Sequence, residues 1–142
     1  MILLRDIRDY IVSLSVAEDE HCFCGKMADK MDKSIGVYNL KTGRQPVTAA
    51  GGDINRSYSI KAISLLVHWN KNPTETETAA IQLYNMLRST RQTQVNGHHI
   101  IFIQMLQEEP VSVNTDDNGV FEYVIECLFY IKNDILEKER KM

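Results

Sequence analysis

The spacing of apolar residues changes period several times along this chain, and each change predicts an element. Leu3, Ile7, Tyr10, Ile11 and Leu14 fall three or four apart, with Arg5, Asp6, Arg8 and Asp9 between them. That stripe predicts an amphipathic helix over residues 2–14. Past the acidic Glu18-Asp19-Glu20, the short runs His21–Cys24 and Ser34–Leu40 read as strands. Tyr58–Trp69 is rich in Ile, Leu and Val, and from Ile63 onward its apolar residues fall on both sides. An interior strand covered on both faces near its end is expected there.

The strongest local signal follows. Asn72 can cap a helix, Pro73 suits its first position, and Glu75 and Glu77 favour the positive end of the helix dipole. Thr76, Ala80, Leu83, Tyr84 and Leu87 then share one face, with Arg88 and Arg91 near the far end. A second amphipathic helix is predicted over residues 73–91. Asn96-Gly97 marks a turn, and His98–Leu106 reads as a strand stopped by Glu108-Glu109-Pro110. Val111–Thr115 and Val120–Ile131 flank Asp116-Asp117-Asn118-Gly119, a hairpin signal. In the second arm Phe121, Tyr123, Ile125, Cys127, Phe129 and Ile131 share one face, while Glu122 and Glu126 lie on the other with Val124, Leu128 and Tyr130. A slip of one residue would drive both glutamates toward the core, so the register is set.

Two helices with one apolar stripe each can cover one face of a mainly antiparallel sheet, which gives an α+β fold. Residues 1–131 are expected to form a single domain, followed by a charged tail, 132–142. The 142-residue length suits one core. Residues 41–57 break the pattern: Gly43, Pro46, Gly51 and Gly52 make a long loop in which Lys41, Arg44 and Arg56 face a single Asp53. Connections this long inside a compact domain are either functional or disordered. Lys41, Arg44, Asp53 and Arg56 are therefore candidate protein-interaction residues.

Charge and composition narrow the function. Hydrophobic residues make up 44% and charged residues 25%, ordinary globular values, and the formal net charge is −3. No run of Lys and Arg is long enough to neutralise a row of phosphates, which argues against tight non-specific binding of nucleic acid. Arg5, Asp6 and Arg8 interrupt the apolar start, so neither a signal peptide nor a membrane span is expected. Three cysteines, an odd count, suggest reduced thiols instead of a disulfide frame.

Candidate chemistry is sparse. His21-Cys22-Phe23-Cys24 invites a metal, but on a strand Cys22 and Cys24 point one way and His21 the other, so at most two ligands converge where a structural zinc needs four. His98 and His99 diverge for the same reason. Glu122 and Glu126, four apart on a strand, are separated by about 13 Å, too far for paired-carboxylate catalysis and better read as a wetted face. There is no phosphate-binding Gly-rich loop, no His-Glu-x-x-His helix and no Gly-x-Ser-x-Gly elbow. No catalytic residue, metal or cofactor is expected, and an enzyme is disfavoured.

Gly51-Gly52-Asp53, the strand from Tyr58 to Val67, Asn72-Pro73 opening a helix that ends Ile81-Gln82-Leu83-Tyr84-Asn85-Met86-Leu87, and the closing Glu109-Pro110-Val111, Asp116-Asp117-Asn118-Gly119 and Phe121–Glu126 together resemble the tail-terminator, or minor capsid, proteins of long-tailed bacteriophages and prophages. The resemblance covers most of the chain and rests on spacing and turn chemistry. It implies a virion protein, assembled in the bacterial host cytoplasm, that caps the tail tube as a ring, usually of six copies, and joins it to the head connector. Its expected partners are further copies of itself, the tail tube protein and the head-tail connector, with DNA only in transit and no membrane. On this reading residues 41–57 would be the docking element, and Glu122 and Glu126 would face a lumen through which DNA passes without sticking. Two alternatives stand beside it: another head-tail joining protein, and a small ligand-binding protein or enzyme using His68, His98 or His99 in a cleft.

Overall fold

A computed structural model describes residues 1–27, 31–41 and 57–133. In chain order the described elements are α1 (Leu4–Ser13), a turn of 3₁₀ helix (Asp19–His21), β1 (Cys22–Cys24), β2 (Ser34–Asn39), β3 (Tyr58–His68), α2 (Pro73–Arg88), β4 (Arg91–Val95), β5 (His98–Met105), β6 (Val111–Thr115) and β7 (Phe121–Lys132). The strands form one sheet in the order β1, β2, β3, β7, β5, β4, with β6 also paired to β7. Every pairing is antiparallel except β1 with β2. The fold is α+β, as the pattern of periods predicts.

The central pair is β3 with β7, in register from Tyr58 opposite Lys132 to His68 opposite Glu122. Directly opposed residues share a face, so Ile63, Leu65 and Val67 join Cys127, Ile125 and Tyr123 on the side that receives both helices. Ile7 and Ile11 from α1, Leu83 and Leu87 from α2, and Phe129 from the C-terminal half of β7 are all 0% exposed in one cluster. Tyr10 joins the three layers: its ring meets Phe129 edge-on at 6.2 Å, and its hydroxyl is 2.7 Å from Thr90 Oγ1 just past α2.

The helices start and stop for local reasons. Asn72 Oδ1 accepts from the backbone N–H groups of Thr74 (3.0 Å) and Glu75 (3.1 Å), with Pro73 in the first turn. Asn72→Ala should therefore destabilise the chain by about 1 kcal/mol in urea denaturation; an unchanged midpoint would show that tertiary packing alone holds this end. In α1 the carboxylate of Asp6 reaches back to the N–H of Leu3 at 2.8 Å, one half of a capping box.

Three details depart from the sequence reading. The second helix ends at Arg88 instead of Arg91, and the chain turns at once into β4, a strand the sequence does not announce. β4 reads Arg-Gln-Thr-Gln-Val, with Gln92 at φ +43°, and its polar, bent character suits an edge. Leu3, expected in the apolar stripe of α1, is 59% exposed, while Ile2 is buried in its place. The face of β7 assigned to water is only partly wet: Leu128 is buried, and Tyr130 stacks between Phe102 at 4.3 Å and Tyr58 at 5.7 Å.

Candidate assembly interface

One long edge of the sheet organises the surface. On the side of β7 away from β3, β5 occupies the C-terminal half (Ile100 opposite Ile131 to Met105 opposite Cys127), and β6 the N-terminal half (Val111 opposite Val124 to Thr115 opposite Phe121). Between them the chain makes a short excursion over residues 106–110. Leu106 N–H still donates to Glu126 O, the Gln107 side chain donates to Glu126 Oε1 at 2.8 Å, and Tyr84 of α2 donates its hydroxyl to Gln107 O at 2.6 Å. Glu126 thus pins the excursion to the sheet while Tyr84 pins it to the helix.

β4 covers β5 only as far as Phe102, which opposes Arg91. From Ile103 to Thr115 no further described strand lies beside this edge. At its β5 end a cleft of about 670 Å³ opens between the edge and the last turns of α2, lined by Tyr84, Phe102, Ile103 and Met105 with Arg88, Arg91 and Glu108 at its mouth. Arg88 lies over the Tyr84 ring at 5.7 Å, and Arg91 donates to the carbonyls of Arg88 and Thr90. Among the described residues neither arginine forms an ion pair. At the other end β6 is exposed along all five residues, with Val111 at 44% and Val113 at 41%.

The hairpin tip is held rigidly. Asp116 Oδ1 accepts from the N–H groups of Asn118 and Val120 at 2.9 Å each, and Gly119 supplies the left-handed φ of +82° the turn requires. Beneath the tip, fully buried His68 lies between two carboxylates. Its Nδ1 is 2.9 Å from Glu122 Oε2, and Nε2, without a hydrogen-bond partner, is 3.7 Å from Asp116 Oδ2. A carboxylate only accepts, so with Glu122 as a carboxylate the Nδ1–H of His68 donates this hydrogen bond. The Glu122 side chain is 13% exposed. Both glutamates lie on the helix-free face, as the alternation predicts, and each has a protein partner there.

The remaining candidates scatter. Lys41 is exposed; Arg44, Asp53 and Arg56 lie outside the described residues, as does most of the expected loop 41–57. His98 Nε2 is 3.4 Å from Asp6 and His99 contacts Gln92, so the two point to different partners and neither enters the cleft. His21 contacts the Asp32 carbonyl, Cys22 is buried and Cys24 exposed. Burial raises the thiol of Cys22 to about 11 and that of Cys127 to about 12, leaving both protonated at neutral pH. Among the described residues no three His, Cys, Asp or Glu side chains converge on a possible metal position, and no helix is long and apolar enough to cross a membrane.

At the end of β5 away from the cleft, the Asn96-Gly97 turn is clamped to α1. Asn96, at φ +49°, donates its amide to Asp6 at 2.9 Å and to Asp9 at 2.8 Å. This amide is the main cause holding both carboxyls below their ordinary 3.8; the Leu3 N–H adds to it at Asp6, and Arg8 at Asp9. In the unfolded chain the same groups bind protons more readily. Their stabilising effect is thus complete above about pH 4 and is lost as pH falls through the depressed folded values. Asn96→Gly keeps the turn conformation, removes the amide, and should cost about 1–3 kcal/mol at pH 7 while flattening stability against pH below 4. An acid profile parallel to that of the natural chain would refute this assignment.

Comparisons with known proteins bear on the fold and on the family. No curated protein resembles the chain closely enough to count as a relative. A chain from a structure titled "Virion of native gene transfer agent (GTA) particle" shares the fold: the TM-score is 0.51 at 9% identity, covering 87% of this chain and 84% of that one. The family model described as bacteriophage tail terminator protein matches residues 5–133, from α1 through the end of β7. The chain therefore belongs to the bacteriophage tail terminator family and is a structural component of the virion tail.

Proposed function

We propose that this protein closes the end of the assembled tail tube as a ring of identical copies, six in the form the family resemblance implies, and presents that ring to the head connector. The family match over residues 5–133 carries the reading. The fold supports it: a sheet with an edge uncovered among the described residues and an exposed hairpin suits repeated protein contacts. Lys41, Arg44, Asp53 and Arg56, in the segment 41–57, are proposed to dock on the neighbouring tail proteins. Glu122 and Glu126 are proposed to border the lumen, where negative charge keeps passing DNA from adhering. DNA would be a transit partner, not a ligand.

Purified chain added to short tail tubes should appear by electron microscopy as a closed density at one tube end and should stop further addition of tube protein. Tube ends of unchanged appearance that keep elongating would remove the proposal. Binding to isolated connectors without any effect on tubes would favour the alternative, another head-tail joining protein.

A further inference from the structure

The open edge carries two unlike features that complement each other. At one end, β6 reads Val-Ser-Val-Asn-Thr: its outer edge is unpaired among the described residues, it has no charged residue, and all five positions are exposed. Natural sheets protect such edges with charges, prolines or covering segments because an unpaired row of N–H and C=O groups recruits another strand. β6 has Pro110 only before it, and beyond it Asp117 is exposed at the turn. At the other end lies the cleft, which offers what β6 lacks. Among the described residues it has a backbone edge from Ile103 to Met105 with no strand beside it, an apolar lining from Tyr84, Phe102 and Met105, and two arginines that form no ion pair.

We infer that the β6 hairpin of one copy docks in the α2–β5 cleft of the next, adding its strand to the open edge of β5. Val111 and Val113 go against the apolar lining, and Asp117 meets Arg88 and Arg91. The inference rests on the ring reading above and names the contact that would build the ring. Three observations favour a second copy as the occupant. The exposed strand and the cleft belong to the same chain, so every copy supplies both. The charges match in sign, since the turn presents a carboxylate and the cleft mouth two guanidiniums against the single carboxylate of Glu108. The hairpin is also presented rigidly, through the backbone bonds to Asp116 and the His68–Glu122 contact under it, so little ordering is needed on docking. Because the donated and receiving patches differ, the contact is heterologous: it repeats from copy to copy and closes into a ring when the rotation permits.

Two variants at exposed positions separate the halves of the contact. Val113→Lys spoils the hairpin and leaves the cleft intact, and Arg88→Glu does the reverse. Each alone should weaken self-association by roughly tenfold or more while the dilute protein stays folded, Arg88→Glu melting slightly lower because it loses the contact with Tyr84 and puts a negative charge in the last turn of α2. Mixed in equal amounts, they should form a one-to-one pair through the single intact contact, detected by native mass spectrometry. Self-association unchanged in both variants, or no pair in the mixture, overturns the inference even when rings form. Complementation in a wild-type protein that stops at a two-fold dimer keeps the docking and sinks the ring reading instead.

If the wild-type chain is monomeric in solution, a photo-crosslinking benzoylphenylalanine at position 113 is read on capped tubes. Adducts to residues 84–108 of another copy support the docking. Adducts only to tube protein, or elsewhere on this chain, overturn it.

Discussion

A His68→Ala chain should be about 3–5 kcal/mol less stable than the natural one in chemical denaturation. The imidazole is 0% exposed and fills the space between the end of β3 and the β6–β7 turn, so its removal opens a cavity. It also strips Glu122, 13% exposed, of the N–H donor 2.9 Å away, and leaves Asp116, 5% exposed, without the ring facing it at 3.7 Å. A carboxylate left at Glu122 without that donor costs more than the lost packing alone. Glu122→Gln is the control: the amide oxygen can still accept from Nδ1, so the loss should be much smaller. A loss below about 1 kcal/mol for His68→Ala would mean that water takes over both carboxylates and that the hairpin tip does not depend on the histidine. Small domains hold only about 5–15 kcal/mol in total, so assembly of this variant should be scored only where the monomer is shown to be folded.

Phe129→Ala should cost a similar 3–5 kcal/mol, by a different route. Phe129 is 0% exposed in the C-terminal half of β7, opposite Ile103 on one side and Lys61 on the other. Its ring takes the edge of Tyr10 from α1, so the substitution loosens both the sheet and the helix layer above it. Phe129→Leu, which retains much of the volume, should recover most of the loss. Both variants are best compared by urea midpoints with the slope held in view, since a changed slope would report an altered denatured state instead of a lost contact. Equal stability of the alanine and leucine variants would refute the packing argument, because it predicts that volume decides the outcome.

The two effects belong to opposite faces of the same strand. Alternation puts Phe129 toward the helices and Glu122 away from them, so β7 carries both the core and the clamp that holds the hairpin tip. That arrangement links stability to assembly: the elements that keep β6 in place are buried, while β6 itself is left exposed.

Local features are legible from the residues alone. Asn72-Pro73 opens α2 because a side-chain acceptor and a fixed φ suit those positions whatever surrounds them, and Asp116–Gly119 turns the chain because few other residues tolerate its dihedrals. The core face of β7 follows from strict alternation over a long strand, and the family resemblance drew on the same spacings. Strand pairing, by contrast, is settled by the assembled fold. The parallel match of β1 to β2 depends on how a three-residue strand finds a partner. The strand β4 is polar in every period and exists because β5 offers an edge. The contact of His68 with Glu122 spans 54 residues, so no local window contains both. The cleft exists because β4 pairs only as far as Phe102, a length set by where α2 releases the chain. Short-range preferences act on a few neighbouring dihedrals and are written in a few neighbouring residues, whereas register and edge exposure emerge from all the strands settling together.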